Sequence, residues 1–148
     1  MKHVDILELP DQLRTAMHEC ELTGMQTVFE RNGRPVAILT SYDEYLALQE
    51  TIAIANDPRL RARMKMADDE AQRGEMDLFE NLERLRIPAS VKVPESAHET
   101  LRRIDDDPIA GAPLFEPLKG LWSWRSGDLR IVYRIVAEAR YILILSIA

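Results

Sequence analysis

The sequence of 148 residues contains a single cysteine, Cys20, few aromatic residues and no long hydrophobic run. One cysteine cannot form an internal disulfide, which favours a reducing compartment. The first residues lack the apolar run and cleavage site of a secretory signal, and no stretch approaches the roughly 18 apolar residues of a membrane-spanning helix. We therefore expect a cytoplasmic protein with no membrane partner, and a hydrophobic content of 46% excludes a disordered or collagen-like chain.

Common motifs of catalysis and cofactor binding are also missing. The sequence has no Gly-rich phosphate loop, no pair of cysteines at metal-binding spacing and no nucleophile-elbow pattern. The three histidines, His3, His18 and His98, are isolated in the sequence, which favours structural or surface roles. We therefore expect that the protein needs no metal ion and no cofactor.

The charge balance shows no basic excess, because 19 Lys and Arg stand against 25 Asp and Glu for a net charge of −6. Such a balance argues against a broadly basic nucleic-acid binder. The charge is unevenly distributed, since residues 1–90 hold 11 basic and 17 acidic side chains while residues 91–148 hold eight of each. This asymmetry predicts two units with different partners, or with each other as partners.

Local patterns in the first part predict a strand over 4–7 and then a helix from near Pro10 to Gly24. Two apolar runs flank Asn32-Gly33, which is the strongest short signal for a β-hairpin. Ser41 then opens a capping box that starts another helix. We expect this helix to bury one apolar face, formed by Tyr45, Leu48, Ile52 and Ala55.

The patterns after Asp57-Pro58 predict a helical segment over 58–87, in which 75–86 is acidic and amphipathic. A strand over 90–93 and one helix over about 95–106 follow. Three antiparallel strands then occupy 121–124, 129–136 and 140–147, since these runs are rich in β-branched residues and alternate in polarity. The predicted fold class is α+β, with two small units.

Two groups of basic residues in the second part stand out, and the first could bind phosphate. On the strand LRIVYRIV, Arg130 and Arg134 share one face, and Arg125 ends the preceding strand. Arginines on a sheet face can bind a phosphate backbone and stabilise a pentavalent phosphorane without a metal. The alternative is that they pair with the local acids Asp128 and Glu138.

The other group falls into two pairs, 59/63 and 61/65, whose members lie four residues apart. On a helix, these pairs form two adjacent basic stripes. These residues are Arg59, Arg61, Arg63 and Lys65. The acids that follow them favour a solvated ion-pair face.

In the first part, Arg31 and Arg34 flank the Asn-Gly turn, where the two-fold axis of a dimer would bring them to DNA phosphates on both half-sites.

Two segments resemble the parts of type II toxin–antitoxin systems. TVFERNGRPVAILTSYDEYLAL (27–48) closely resembles the core of Phd/YefM-type antitoxins, and LKGLWSWRSGDLRIVYRI (118–135) resembles the core of RelE/ParE-type toxins. Because both occur in operon order in one chain, we interpret the protein as an antitoxin–toxin fusion. The resemblance implies a dimerisation and DNA-binding unit over 1–57, a toxin-neutralising segment over 58–87 and a shortened toxin domain over 90–148.

For the antitoxin part, the resemblance implies a homodimer that binds operator DNA through Arg14, Arg31 and Arg34 and represses transcription. The neutralising segment would dock an apolar stripe in a groove of the toxin, namely Leu78, Phe79, Leu82 and Leu85. Its acids would cover the sheet arginines: Asp68, Asp69, Glu70, Asp77, Glu80 and Glu83. The alternative is that 75–86 closes the core of its own domain.

For the toxin part, the resemblance implies either metal-independent cleavage of mRNA at the ribosome or an attack on DNA gyrase. Arg130 would contact the scissile phosphate, with Arg125 and Lys119 assisting. The family usually carries its acid and base groups beyond the last strand, and this sequence stops at Ala148, so we expect a silent or weakly active toxin. The alternatives are an active endoribonuclease released by cleavage of the antitoxin segment, and a purely structural or regulatory oligomer.

Overall fold

Four α-helices and eight β-strands follow one another in the computed structural model, which describes residues 1–148. The elements are α1 (Asp11–Thr23), β1 (Thr27–Arg31), β2 (Arg34–Leu39), α2 (Tyr42–Ala55), α3 (Pro58–Gln72), β3 (Met76–Phe79), β4 (Leu82–Pro88), α4 (His98–Asp106), β5 (Ala112–Pro113), β6 (Leu121–Ser126), β7 (Leu129–Val136) and β8 (Tyr141–Ile147). This content confirms the α+β fold class. The chain divides into two compact units, Met1–Leu46 and Ala47–Ala148, and the division falls within α2.

The first unit holds α1 and the β1–β2 hairpin, both of which the sequence predicted. Gly24 ends α1 in the left-handed region, and its N–H donates to the carbonyl of Cys20 at 2.9 Å. Asn32 and Gly33 both have positive φ, as a type I′ turn requires. The predicted strand over 4–7 is wrong, because Ile6–Glu8 forms a short 3-10 helix whose first turn is capped by the Asp5 side chain.

The start of α2 is capped as the sequence predicted. The Ser41 hydroxyl accepts a hydrogen bond from the backbone N–H of Glu44 at 3.1 Å. The Glu44 carboxylate turns to the preceding strand end instead of returning to Ser41, and accepts from Thr40 Oγ1 at 2.7 Å and from Gln26 Nε2 at 3.0 Å. The cap therefore also ties the start of the helix to the residues on either side of the hairpin.

The second unit is built on a six-stranded sheet with the order β3-β4-β8-β7-β6-β5. The three predicted strands β6, β7 and β8 are confirmed as an antiparallel meander. β4 pairs with β8 in parallel, through Leu85 opposite Ile142 and Arg86 opposite Leu143. The sheet is therefore mixed, whereas the sequence predicted a purely antiparallel one.

Hydrophobic cores lie on both faces of this sheet. One contains side chains of α2 and α3 with alternate residues of β7 and β8: Ile54, Leu60, Met64, Ala67, Val132, Leu143 and Leu145. The other contains side chains of α4 and of Ala97 just before it, with the remaining alternate residues of the strands: Ala97, Leu101, Ile104, Ile131, Tyr133, Ile142 and Ile144. Because side chains alternate along a strand, α2 and α3 cover the face that carries Arg130 and Arg134.

The predicted helix over 75–86 is wrong, since β3 and β4 form a hairpin there. Gly74 has a φ of +75° at the end of α3, and Glu80 has a φ of +50° at the hairpin turn. Neither conformation fits a continuing right-handed helix. Helical spacing of apolar residues is outweighed here by the ladder that β4 makes with β8. Residues 90–93, predicted as a strand, form no strand.

The buried face of α2 also differs from the prediction. The buried residues are Ala47, Thr51 and Ile54, while Leu48 and Ile52 of the predicted apolar face are about half exposed. With this orientation of the helix about its axis, a neighbouring acidic residue, Glu50, faces the sheet. This shift determines what the sheet arginines contact.

Candidate functional site

Glu50 on α2 joins the arginines of β6 and β7. Arg130 donates from Nε to Glu50 Oε1 and from Nη2 to Oε2, the latter at 3.3 Å. Arg125 Nη1 lies 3.6 Å from Oε2 of the same carboxylate. One carboxylate therefore contacts two of the three residues predicted to bind the scissile phosphate.

Neighbouring polar groups hold Glu50 and α2 in place. The buried hydroxyl of Ser123 donates to Glu50 Oε1 at 2.8 Å. The residue after Glu50, Thr51, donates from Oγ1 to the carbonyl of Ala47 at 2.7 Å and accepts from the N–H of Phe115 at 3.0 Å. The Glu50 side chain is 12% exposed and that of Arg130 is 21% exposed, so water screens this pair weakly.

Asp68 on α3 makes the equivalent contact further along β7. Arg134 Nη1 donates to Asp68 Oδ1 at 2.9 Å and Nη2 donates to Oδ2 at 3.4 Å, which gives a two-point contact. The acids next to the strand, Asp128 and Glu138, take part in no ion pair with these arginines. The arginines are therefore paired through tertiary structure, and the alternative of pairing with these local acids is wrong.

Lys119 lies apart from this group, in the turn between Leu118 and Gly120. Its side chain is exposed, makes no ion pair and lines a hollow with Phe115 and Trp122. The structure thus brings Arg125 and Arg130 together but leaves Lys119 outside their shared carboxylate.

The residues predicted to neutralise the toxin lie in the β3–β4 hairpin and are directed mainly at α4. Phe79 and Leu85 are buried in the core with α4, Leu82 packs against that core, and Leu78 is exposed. Asp77 is exposed and makes no ion pair. None of these side chains forms a hydrogen bond or ion pair with the sheet arginines, and Phe79, Leu82 and Leu85 pack with α4 within the same compact unit.

The Glu80 carboxylate accepts two hydrogen bonds of 3.0 Å from Arg102 and lies 3.6 Å from Nδ1 of His98. The ring of His98 also meets that of Phe79 edge-on, with centroids 4.9 Å apart. This cluster fastens the hairpin turn to α4. Of the acids predicted to cover the sheet arginines, Asp68 is the one that does so, and Glu70 instead accepts from the N–H of Ser90 at 2.7 Å.

The predicted DNA-binding residues lie on the first unit. Arg31 and Arg34 are paired positions at the hairpin tip, both exposed and free of ion pairs. Arg14 lies on α1 and pairs with Asp11 one turn before it. The hairpin therefore presents two unneutralised cations to solvent, as the sequence predicted for its tip.

The strands of this hairpin also expose apolar side chains. Val28 and Ile38 are paired across the two strands and are 51% and 57% exposed, and Val36 on the same face is exposed to a similar degree. Among residues 1–46, Cys20 is the one buried residue. An apolar strand face of this kind is typical of an interface.

Tyr133 on β7 is fully buried on the face opposite Arg130. Its hydroxyl donates to the carbonyl of Pro108 at 2.5 Å, and a β-carbon added at Gly111 would collide with it. Burial raises the pKa of the Tyr133 phenol far above its ordinary value. The phenol therefore acts as a structural hydrogen-bond donor.

Glu50 is the residue of this site that the sequence interpretation missed. It lies at the polar position of the stripe that includes Ala47, Thr51 and Ile54, and a choice of this stripe as the buried face would have identified it.

No group of three or more His, Cys, Asp or Glu side chains is arranged to hold a metal ion. No helix has the length and apolar character needed to cross a membrane.

No protein-family model matches the sequence, and no curated protein matches it. Among solved structures, a chain of the toxin–antitoxin complex RelBE2 from Mycobacterium tuberculosis is similar to part of the protein, with 26% sequence identity. The match covers 43% of this chain and 91% of that chain, with a TM-score of 0.37. A TM-score this low assigns neither a family nor an activity.

Proposed function

We propose that the chain is a toxin–antitoxin fusion protein whose toxin-like part is held silent by carboxylates of the same chain. The observation that carries this proposal is the pairing of Glu50 with Arg130 and Arg125, repeated by Asp68 with Arg134. The acids lie on the two helices that follow the antitoxin-like hairpin. The arginines lie in the segment that resembles the toxin core.

The pairing blocks phosphate chemistry for a simple reason. Carboxylate and phosphate both accept two parallel hydrogen bonds from a guanidinium, so they compete for the same donors. Arg130 already gives two donors to Glu50, and the weak exposure of both groups keeps water from separating them. RNA could take the same Nε and Nη2 edge of Arg130 only after displacing Glu50.

We further propose that the first unit dimerises through its exposed hairpin face and binds operator DNA with Arg14, Arg31 and Arg34. The support is the apolar surface at Val28 and Ile38, together with two unpaired arginines at the hairpin tip. A two-stranded sheet is marginally stable alone, and self-association would bury its apolar face. The two-fold symmetry of such a dimer matches a palindromic operator.

Release of an active ribonuclease by cleavage within 58–87 is less well supported. β4 pairs directly with β8, and α3 contributes Leu60 and Met64 to the core. Removal of this segment would expose a central strand and open one core, so the remaining fragment would lose stability before gaining activity.

The cis-neutralisation proposal is tested by removing the two acids from the full-length chain. In the double variant Glu50→Gln/Asp68→Asn, we expect binding of single-stranded RNA to tighten by at least about tenfold at low salt, because three arginines lose their carboxylate partners. Fluorescence anisotropy measures the affinity, and incubation with mRNA measures cleavage. Glu75→Gln/Glu99→Gln is the charge-matched control, since Glu75 pairs with Arg73 and Glu99 pairs with Arg103 at the surface.

Tighter RNA binding without cleavage would support a silenced, catalytically incomplete toxin. Tighter binding with cleavage would support an active ribonuclease held in check. Unchanged RNA binding in a folded double variant would contradict neutralisation by these acids.

The operator proposal is tested by gel shift with DNA from upstream of the gene. Salt-sensitive, sequence-selective binding that is lost in Arg31→Ala/Arg34→Ala is the expected result, because the hairpin tip would lose its phosphate contacts. Absence of selective binding by the unmodified chain would favour the structural or regulatory oligomer.

A further inference from the structure

The first two turns of α3 carry four cations and no acid between Pro58 and Met66. These residues are Arg59, Arg61, Arg63 and Lys65, and all four are exposed. The one ion pair among them joins Lys65 Nζ to Asp69 Oδ2 at 3.2 Å, with the Lys65 side chain 77% exposed. The solvated ion-pair face predicted from the sequence therefore forms at Lys65 but not at the three arginines.

These cations are unfavourable for the helix that carries them. The N-terminal end of a helix bears a partial positive charge, and cations in its first turns cost a few tenths of a kcal/mol each. Arg59 lies four residues before Arg63, and Arg61 lies four before Lys65, which brings like charges together on the surface. The fold needs only the opposite face of α3, where Leu60, Met64 and Ala67 are buried. No packing role accounts for the basic residues.

Other elements of the second unit extend this basic surface on both sides of α3. On one side, Arg63 lines a hollow with Lys92 from the loop after β4, and the hydroxyl-bearing residues Ser90 and Ser146 line it too. On the other side, Arg61 and Lys65 line a hollow that also contains Arg134 and its partner Asp68. Cations from two other parts of the chain thus flank the cations of α3 itself.

We propose that this surface, called here the α3 band and formed by Arg59, Arg61, Arg63, Lys65 and Lys92, binds the phosphate backbone of a nucleic acid. Cations on a helix surface at separations of about 5–6 Å suit a linear array of phosphates better than a single small anion. The α3 band lies outside the contacts of Glu50, so it stays available while Arg130 is paired. The proposal does not depend on the toxin–antitoxin assignment.

The test uses the full-length chain and the triple variant Arg59→Gln/Arg61→Gln/Arg63→Gln. A charge-matched control, Lys2→Gln/Arg103→Gln/Arg140→Gln, removes three exposed cations elsewhere. Fluorescence anisotropy measures binding of a 20-nucleotide RNA and of a 20-base-pair duplex DNA of arbitrary sequence over a range of salt concentrations. Each phosphate contact contributes about 0.7 to the salt slope for a single strand and about 0.9 for duplex DNA.

We expect the unmodified chain and the control to bind with similar affinity and slope. The triple variant should bind at least about tenfold more weakly at low salt. Its salt slope should be about 2 smaller for RNA and about 3 smaller for duplex DNA, as expected when the three arginines each contact one phosphate. Loss with RNA alone identifies a single-stranded ligand, and loss with both probes identifies general backbone binding. Restoring charge with Arg59→Lys/Arg61→Lys/Arg63→Lys should recover most of the affinity.

Equal binding by the triple variant and the control would overturn the proposal, as would no binding of either probe by the unmodified chain. A thermal melt confirms that each variant is folded. The outcome is distinct from that of the operator experiment, because Arg31→Ala/Arg34→Ala leaves the α3 band intact and should retain its sequence-independent binding.

Discussion

The two units of this chain differ most in how much they bury. Residues 1–46 contain one buried residue, Cys20, although they include α1 and a complete hairpin. The unit from Ala47 to Ala148 covers both faces of its sheet with helices and buries the middle of β7 and nearly all of β8. The second unit buries its apolar side chains within its own cores, whereas the first leaves exposed an apolar strand face that a partner would cover.

The same contrast holds for charge. The arginines of β7 are paired with Glu50 and Asp68 within the second unit, whereas Arg31 and Arg34 at the hairpin tip have no acidic partner. Cations that remain unpaired on a chain of net charge −6 point to sites for external anions. The arginines of β7 are thus closed by acids of their own unit, whereas those of the hairpin tip are open to solvent.

The largest effect should come from shortening one isoleucine to alanine in each unit and comparing the loss of stability. Ile104→Ala removes a fully buried side chain from α4 and should lower the free energy of unfolding by about 2–5 kcal/mol. Ile38→Ala removes a side chain that is more than half exposed and should cost the monomer well under 1 kcal/mol. Urea denaturation at low protein concentration measures both. Equal losses would contradict the difference in burial.

The next effect concerns association. Ile38→Asp places a charge in the middle of the apolar hairpin face and should weaken self-association by at least about 30-fold, because the carboxylate would be buried without a partner. Sedimentation equilibrium measures the dissociation constant. Leu78→Asp is the control, since Leu78 is similarly exposed but lies on the β3–β4 hairpin. If both substitutions act alike, the hairpin face is not the specific interface.

The smallest effect is a pH dependence confined to the second unit. Because burial raises the folded-state pKa of Tyr133, its contribution to stability is present below the unfolded-state pKa of about 10 and is lost as pH rises above it. Between pH 9 and pH 11, the unmodified chain should lose about 1.4 kcal/mol more than Tyr133→Phe. Chemical denaturation across this range measures the difference. Parallel curves would show that the phenol is not protected by the fold.

Local sequence signals predicted the elements that depend on local physics. The Asn32-Gly33 turn, the Ser41 cap and the strand over 129–136 all follow from backbone preference or side-chain alternation within a few residues. The hairpin over 76–88 could not be recognised in this way, because its leucines also fit a helical stripe. Pairing of β4 with β8, more than fifty residues away, decides between the two structures.

The candidate site was predicted only in part, because its ion pairs depend on long-range packing as well as on local patterns. Alternation placed Arg130 and Arg134 on one face, but their partners depend on which face of α2 and α3 is buried. Leu48 and Ile52 made a plausible apolar stripe, and the rotation that buries Thr51 instead is set by packing against the sheet. The position of Glu50 beside the arginines follows from that rotation, so no local sequence pattern predicted this contact.

The order of the paired groups along the chain has a consequence for biosynthesis. Glu50 and Asp68 precede Arg125, Arg130 and Arg134, so the ribosome releases both acids before any of these arginines emerges. Segments fold as they leave the ribosome, and β7 cannot join the sheet before its covering helices exist. In a nascent chain, the arginine surface would therefore form with its acids already present, with no interval in which these arginines stand unpaired.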